Sequence, residues 1–156
     1  MLALIHNQVL LTALVACFLA QGLKLVVEVV QHQRFNFRVL VETGGMPSSH
    51  SALVAALATS IGQSMGWDSN EFAVATIFAI IVMYDAAGIR WAAGEQAKIL
   101  NQILEDPQLQ PIKERLQDPL KELLGHTRLE VLVGSCLGVA VSFITFAVFQ
   151  VQGWAA

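Results

Sequence analysis

Charged residues along this chain are confined to three zones separated by long apolar runs. Aspartate, glutamate, lysine and arginine are absent from Met1 to Leu23, from Ser51 to Trp67 and from Val131 to Ala156. Apolar runs of roughly 17–25 residues are long enough to cross a bilayer as helices. The pattern predicts an all-α, integral membrane helical bundle of about four transmembrane helices plus short interfacial helices. The expected spans are residues 8–30, 47–66, 72–92 and 129–150, with a polar loop over 93–128, all in one membrane domain over 1–156.

Finer features follow from the same pattern. The second span is short and rich in alanine and serine, which suits close packing against neighbouring helices. Asp68 and Glu71 have the spacing of a capping box for the next helix, and Trp67 suits the membrane interface. The stretch GEQAKILNQIL carries the helix of the third span further. Pro107, Pro111 and Pro119 then interrupt a polar region in which Leu109, Ile112, Leu116, Leu120 and Leu123 recur every three or four residues. That period predicts short amphipathic helices on the membrane surface.

Composition sharpens the class. Hydrophobic residues make up 55% and charged residues 13%, against about 25% charged in soluble domains, so a soluble bundle is disfavoured. Cys17 and Cys136 both fall inside apolar runs, which offers neither a disulfide scaffold nor metal-ligand spacing. No cofactor and no metal are expected. Met1–Ala20 lacks a basic n-region and does not resemble a cleaved signal peptide. Without a long basic run, nucleic acid is not an expected partner. The bilayer is, and self-association as a homo-oligomer stays open.

The charges also set an expected orientation. Four spans gather Lys24, Arg34, Arg38, Arg90, Lys98, Lys113, Arg115, Lys121 and Arg128 on one side. The opposite side holds both termini and the Gly66–Glu71 turn. The positive-inside rule makes the basic side cytoplasmic.

Three polar stretches converge on that side. In GGMPSSHSA (44–52), Gly44 and Gly45 permit close backbone approach, and Pro47 suits a first helical turn. Free amides at the helix start, with the Ser48 and Ser49 hydroxyls, can hold an anion, and His50 can exchange a proton beside it. The plain alternative is a Gly-Pro-Ser helix start with an interfacial histidine. In LLGHTRLEVLVG (123–134), His126 and Glu130 lie four apart and share a helix face. A carboxylate on one ring nitrogen fixes the tautomer and frees the other as nucleophile or base; a helix-surface pair is the plain alternative. In YDAAGIRWAAGEQAKILN (84–101), Asp85 and Arg90 are five apart, which does not align them on one α-helical face. Separate roles are therefore as reasonable as a salt bridge. Glu95, Gln96 and Asn101 belong either to the same polar rim or to the headgroup layer.

Together these stretches resemble the type 2 phosphatidic acid phosphatase and vanadium haloperoxidase superfamily. Pro47–His50 (PSSH) resembles its Pro-Ser-Gly-His motif with serine for glycine. His126–Glu130 (HTRLE) resembles its His-x-x-x-Asp with glutamate for aspartate, and Lys24 stands for its first-motif lysine. The divergent branch, small membrane proteins of bacteria, cyanobacteria and plants, is the nearest pattern and covers nearly the whole chain. Gln31 stands where the first motif carries arginine, and Pro119 and Leu120 where the third carries Ser-Arg.

The resemblance implies metal-independent hydrolysis of a phosphomonoester. His126 would attack phosphorus, Glu130 would orient it, and His50 would protonate the leaving group. Lys24, Arg90, Ser48, Ser49 and Gly45 would hold the phosphate, with Asp85, Arg34, Arg38 and Gln96 in support. The implied substrate is a membrane lipid phosphate of phosphatidate or phosphatidylglycerophosphate type, met on the cytoplasmic side of a bacterial inner membrane or a cyanobacterial or plastid membrane.

Two rival readings differ in class. DAAGIR (85–90) matches part of the Asp-Gly-x-x-Ala-Arg start of CDP-alcohol phosphotransferases, but the later carboxylates of that metal site are missing. A non-catalytic lipid-phosphate-binding scaffold or assembly factor would keep the pocket and lose turnover.

Overall fold

The computed structural model describes residues 7–33, 44–116, 118–122 and 124–151. Their elements are α1 (Gln8–His32), α2 (Ser49–Met65), α3 (Asn70–Tyr84), a π-helical turn (Asp85–Ile89), α4 (Arg90–Ile103), a 3-10 turn (Pro107–Leu109), α5 (Gln110–Arg115) and α6 (Arg128–Val151). Among the described residues there is no strand, and the chain is all-α.

The helix starts follow local chemistry. Asn7 caps α1 by accepting from the Leu10 amide, Ser48 caps α2 by accepting from Ser51, and Ser69 caps α3 by accepting from Phe72. Such caps satisfy amides that the first turn leaves without partners. Two expectations shift here by one or two residues. The cap of α3 is Ser69 rather than Asp68, because the hydroxyl reaches the Phe72 amide at 3.2 Å. Pro47 precedes the cap of α2 instead of opening the helix.

α2 is the central helix and packs against α1, α3 and α6. Small side chains cover its buried faces, among them Ala52, Ala56, Ser51 and Ser60. α6 answers with Gly134 and Gly138, a G-x-x-x-G pair that lets two backbones touch. A Cβ at Gly138 would collide with the Ala52 carbonyl oxygen and lie 2.9 Å from its carbon. One at Gly134 would collide with the Ser48 carbonyl oxygen.

Hydrogen bonds between helices tie the far end of the bundle. Ser60 and Ser142 meet at 2.8 Å, Ser142 donates to Gln63 Oε1 at 2.8 Å, and Thr12 meets Thr145 at 3.0 Å. Such bonds help hold membrane helices together, because lipid offers no competing partner. Large apolar residues such as Phe18, Val26, Ile77, Phe78, Phe143 and Ile144 face outward.

Three helical runs are long and apolar enough to cross a membrane: Gln8–Val30, Asn70–Ile103 and Arg128–Val151. α2 has 17 residues, about 26 Å at 1.5 Å per residue. The Asn70–Ile103 run continues for 34 residues, because the π-helical turn carries α3 into α4 without a break. In the polar region, α5 has only six residues and Lys121–Glu122 is not helical, so the expected surface helices are reduced to one short helix and a 3-10 turn.

Candidate active site

The site lies where the C-terminal half of α1, the start of α2, the π-helical turn and the start of α6 meet. Its centre is His126, which is buried at 7% exposure just ahead of α6. The backbone anchors it, since the His126 amide donates to the Ala86 carbonyl at 2.9 Å. That carbonyl belongs to the π-helical turn, where hydrogen bonds reach five residues back and the regular α-helical ladder is broken. Gly125 makes the approach possible. Its φ is +84°, and a Cβ there would lie 2.5 Å from the Trp91 amide nitrogen, so no larger residue fits.

α4 supports the same loop from further along. Asn101 donates to the Leu120 carbonyl at 2.9 Å and accepts from the Leu120 amide at 3.0 Å. A Cβ at Gly94 would collide with the Glu122 carbonyl oxygen. The segment leading to His126 is thus laid onto α4 by close contact and a two-way amide clamp.

The side-chain chemistry follows from the start of α6. His126 Nδ1 lies 3.0 Å from Glu130 Oε2. The same oxygen accepts from the Thr127 amide at 3.1 Å, while Thr127 Oγ1 accepts from the Glu130 amide at 3.3 Å. Thr127 and Glu130 form a capping box, so Glu130 is fixed by the helix start before it meets the histidine. Among the described residues, Nε2 of His126 has no partner. That edge belongs to a residue lining a cavity of about 50 Å³ formed by His50, Val82, Asp85, Ala86, Arg90, Gly125 and His126. A water needs about 10–15 Å³ by this measure, so a few water-sized groups fit.

Charge tunes His126 in two directions. Burial pushes its pKa below the ordinary value of 6.5, the Glu130 hydrogen bond and charge oppose this, and the Lys24 and His50 charges add to the lowering. The net effect favours a neutral imidazole at pH 7, the form in which a ring nitrogen is a nucleophile.

The expected site residues fall into distinct groups. His50, exposed in the first turn of α2, lines the cavity with Asp85, Arg90 and His126. Lys24 is buried at 5% exposure, and its stem passes Gly45, whose φ is +85° and whose Cβ would lie 2.7 Å from Lys24 Cε. Ser48 is fully buried and committed elsewhere. Its amide donates to the Glu130 carbonyl at 3.1 Å, and its hydroxyl accepts from Ser51 Oγ at 2.9 Å. Ser49 is buried behind it. Lys24, Gly45, Ser48, Ser49 and Gln96 do not line the cavity. Arg34 and Arg38 lie outside the described residues.

Asp85 and Arg90 are partners. Arg90 Nε donates to Asp85 Oδ2 at 2.6 Å. An α-helix would not align residues five apart, but the π-helical turn does, since its ring closes from the Arg90 amide to the Asp85 carbonyl. Sequence reasoning passed over Thr127, Gly134 and Gly138, and it placed Asn101 at a polar rim or in the headgroup layer, not on the Leu120 backbone. The first three carry visible signals, T-x-x-E and G-x-x-x-G.

Fold and cavity define a helical membrane protein that presents a carboxylate-braced histidine to a small cavity shared with His50, Asp85 and Arg90. Residues 5–141 match the Divergent PAP2 family, and the chain belongs to it. An uncharacterized membrane protein of Bacillus subtilis (strain 168), YuiD, is 38% identical over 150 residues, covering 90% of this chain and 95% of that one. No solved structure matches.

Proposed function

We propose that the protein is a membrane-embedded lipid phosphate phosphatase hydrolysing a phosphomonoester of phosphatidate or phosphatidylglycerophosphate type. The observation that carries this is the His126 Nδ1–Glu130 Oε2 hydrogen bond beside a cavity shared with His50 and Arg90. His126 Nε2 attacks phosphorus while the bond to the leaving oxygen breaks, giving a phosphohistidine. His50 donates the proton the leaving alkoxide needs, then takes one from water as that water attacks phosphorus and the P–N bond breaks. Arg90, with the nearby Lys24 charge, stabilises the charge that builds on the phosphate oxygens.

The depth of the cavity supports a lipid substrate. Trp67 is exposed at one end of the bundle, and Tyr84 and Trp91 at the other. From Asn70 to Trp91 the helical run spans about 30 Å at 1.5 Å per residue, the thickness of a bilayer core. Aromatic residues concentrate at both interfaces, which favours a four-span bundle with the cavity at headgroup level. Charge asymmetry makes that side cytoplasmic. In a chain with Cys17 and Cys136 replaced by alanine, an Arg115→Cys thiol should resist an impermeant reagent on intact cells and react after permeabilisation. Labelling from outside would reverse the orientation.

The test of activity is phosphate release by the purified protein from phosphatidate in mixed micelles containing EDTA. A requirement for added metal ion would remove the mechanism. A second reading, a scaffold that binds lipid phosphate without turnover, draws on the commitment of the Ser48 amide to the Glu130 carbonyl; binding without release would favour it.

The pH profile should carry the mark of His126. The nucleophile must be the neutral imidazole, and kcat/KM reports the pKa of the free enzyme's essential base. Burial lowers that of His126, so the acid limb of kcat/KM should lie below 6.5, the ordinary value. Glu130→Gln removes the group that raises the pKa, so the limb should move further down while the rate falls. The difference between the two profiles cancels titration of the substrate's own phosphate. A limb that moves up would contradict the assignment.

A further inference from the structure

We propose that Asp85 is a positioning residue, which grips the inner edge of Arg90 so that the outer edge of the guanidinium is presented to a phosphate. The inference rests on the anion-binding reading of the cavity and names how its arginine is held. Three observations carry it. Both residues line the same cavity with His50 and His126. The contact uses Nε of Arg90, at 2.6 Å from Asp85 Oδ2. Among the described residues, neither terminal Nη nitrogen has a partner.

The geometry of guanidinium gives the contact its meaning. Arginine offers five N–H donors in a rigid planar fork, and its bidentate contacts with phosphate need two parallel N–H groups. A carboxylate across Nε leaves the pair of terminal nitrogens available on the opposite side. A carboxylate across both terminal nitrogens would have used up the fork, and Asp85 would then compete with the ligand.

The backbone explains why this grip exists. In a regular α-helix residues five apart point in different directions. The π-helical turn over Asp85–Ile89 returns residue five to the same face. It also provides the Ala86 carbonyl that holds the His126 amide. One local distortion thus fixes both the nucleophile candidate and the phosphate-binding arginine.

Opposing this is the negative charge of Asp85, which repels an anion. The two side chains are 55% and 36% exposed, so water screens that repulsion. The preorganised fork, which saves an arginine its rotamer freedom on binding, therefore dominates.

The experiment is orthovanadate binding to the purified full chain in detergent, read by isothermal titration, with a circular dichroism control on every variant. Arg90→Ala should weaken binding roughly tenfold, the usual size for a hydrogen bond to a charged group. Asp85→Asn should weaken it severalfold in the presence of Arg90 and not at all in the Arg90→Ala background. Arg90→Lys, which keeps the charge but has no fork, should behave like Arg90→Ala.

Tighter or unchanged binding in Asp85→Asn would overturn the proposal. So would equal weakening in both backgrounds, or full affinity in Arg90→Lys, which remains decisive if Asp85→Asn does not fold. A wild-type chain that binds no vanadate would overturn the anion site itself. Wild-type binding with Asp85 indifferent would overturn only the positioning role.

Discussion

If the proposed reaction holds, phosphate release from a lipid phosphate should fall by a factor on the order of 10⁴ or more in His126→Ala, the scale seen when a covalent nucleophile is removed. The imidazole is the only part of the residue that the proposed reaction would use. The anchoring bond is made by the backbone amide of residue 126 to the Ala86 carbonyl, and alanine keeps it. The capping box between Thr127 and Glu130 is also independent of the imidazole. The variant should therefore fold, bind vanadate and fail in turnover.

His50→Ala gives the complementary pattern. Its loss removes a proton donor, so it should damage hydrolysis of an alkyl phosphate far more than that of an aryl phosphate with a good leaving group. Parallel assays on phosphatidate and an aryl phosphate read the difference. Turnover of His126→Ala within tenfold of wild type would end the phosphohistidine mechanism.

The second large effect is on stability. Gly138→Ala should destabilise the bundle by about 1–3 kcal/mol, the usual cost of overpacking a tight contact. The added Cβ would meet the Ala52 carbonyl oxygen, with Ala52 carbon at 2.9 Å and Cα at 3.0 Å. Backbone cannot swing aside as a side-chain tip can, so α2 and α6 must separate. Gly22→Ala is the control, because nothing lies within 4 Å of a Cβ at that position of α1. There the better helix propensity of alanine should leave stability unchanged or raise it by up to about 1 kcal/mol. Thermal unfolding in detergent reads both. Equal shifts would mean that glycine acts through propensity and not through contact.

What sequence reasoning recovered was local or periodic. The apolar runs gave the helices, and the spacing of His126 and Glu130 gave a pair that meets at 3.0 Å. The Ser48 helix start was legible as a start, but its serine was assigned to an anion. The hydroxyl caps its own helix by accepting from Ser51, and the amide joins α2 to α6 through the Glu130 carbonyl, a long-range contact with no local signature. The G-x-x-x-G of Gly134 and Gly138 was present to be read and would have predicted that junction. Asp85 and Arg90 were left open between a salt bridge and separate roles, because five-residue spacing does not align them under the α-helical period and nothing in DAAGIR announces the π-helical turn that pairs them. The Asn101 clamp on Leu120 depends on how a loop folds back over nineteen positions, which periodicity does not address.

The π-helical turn can also be regarded as a change of phase. Each residue of an α-helix advances about 100° around the axis, so a one-residue insertion shifts everything beyond it by that angle relative to everything before. α3 faces its packing partner in the bundle, while α4 aims Gly94 and Asn101 at the loop that delivers His126. Deleting one residue between Asp85 and Ile89 would restore a regular helix and leave nearly every side chain chemically intact. It would also turn α4 away from that loop, part Arg90 from Asp85 and take the Ala86 carbonyl from the histidine. On this view the site depends as much on helical phase as on which polar residues the chain carries.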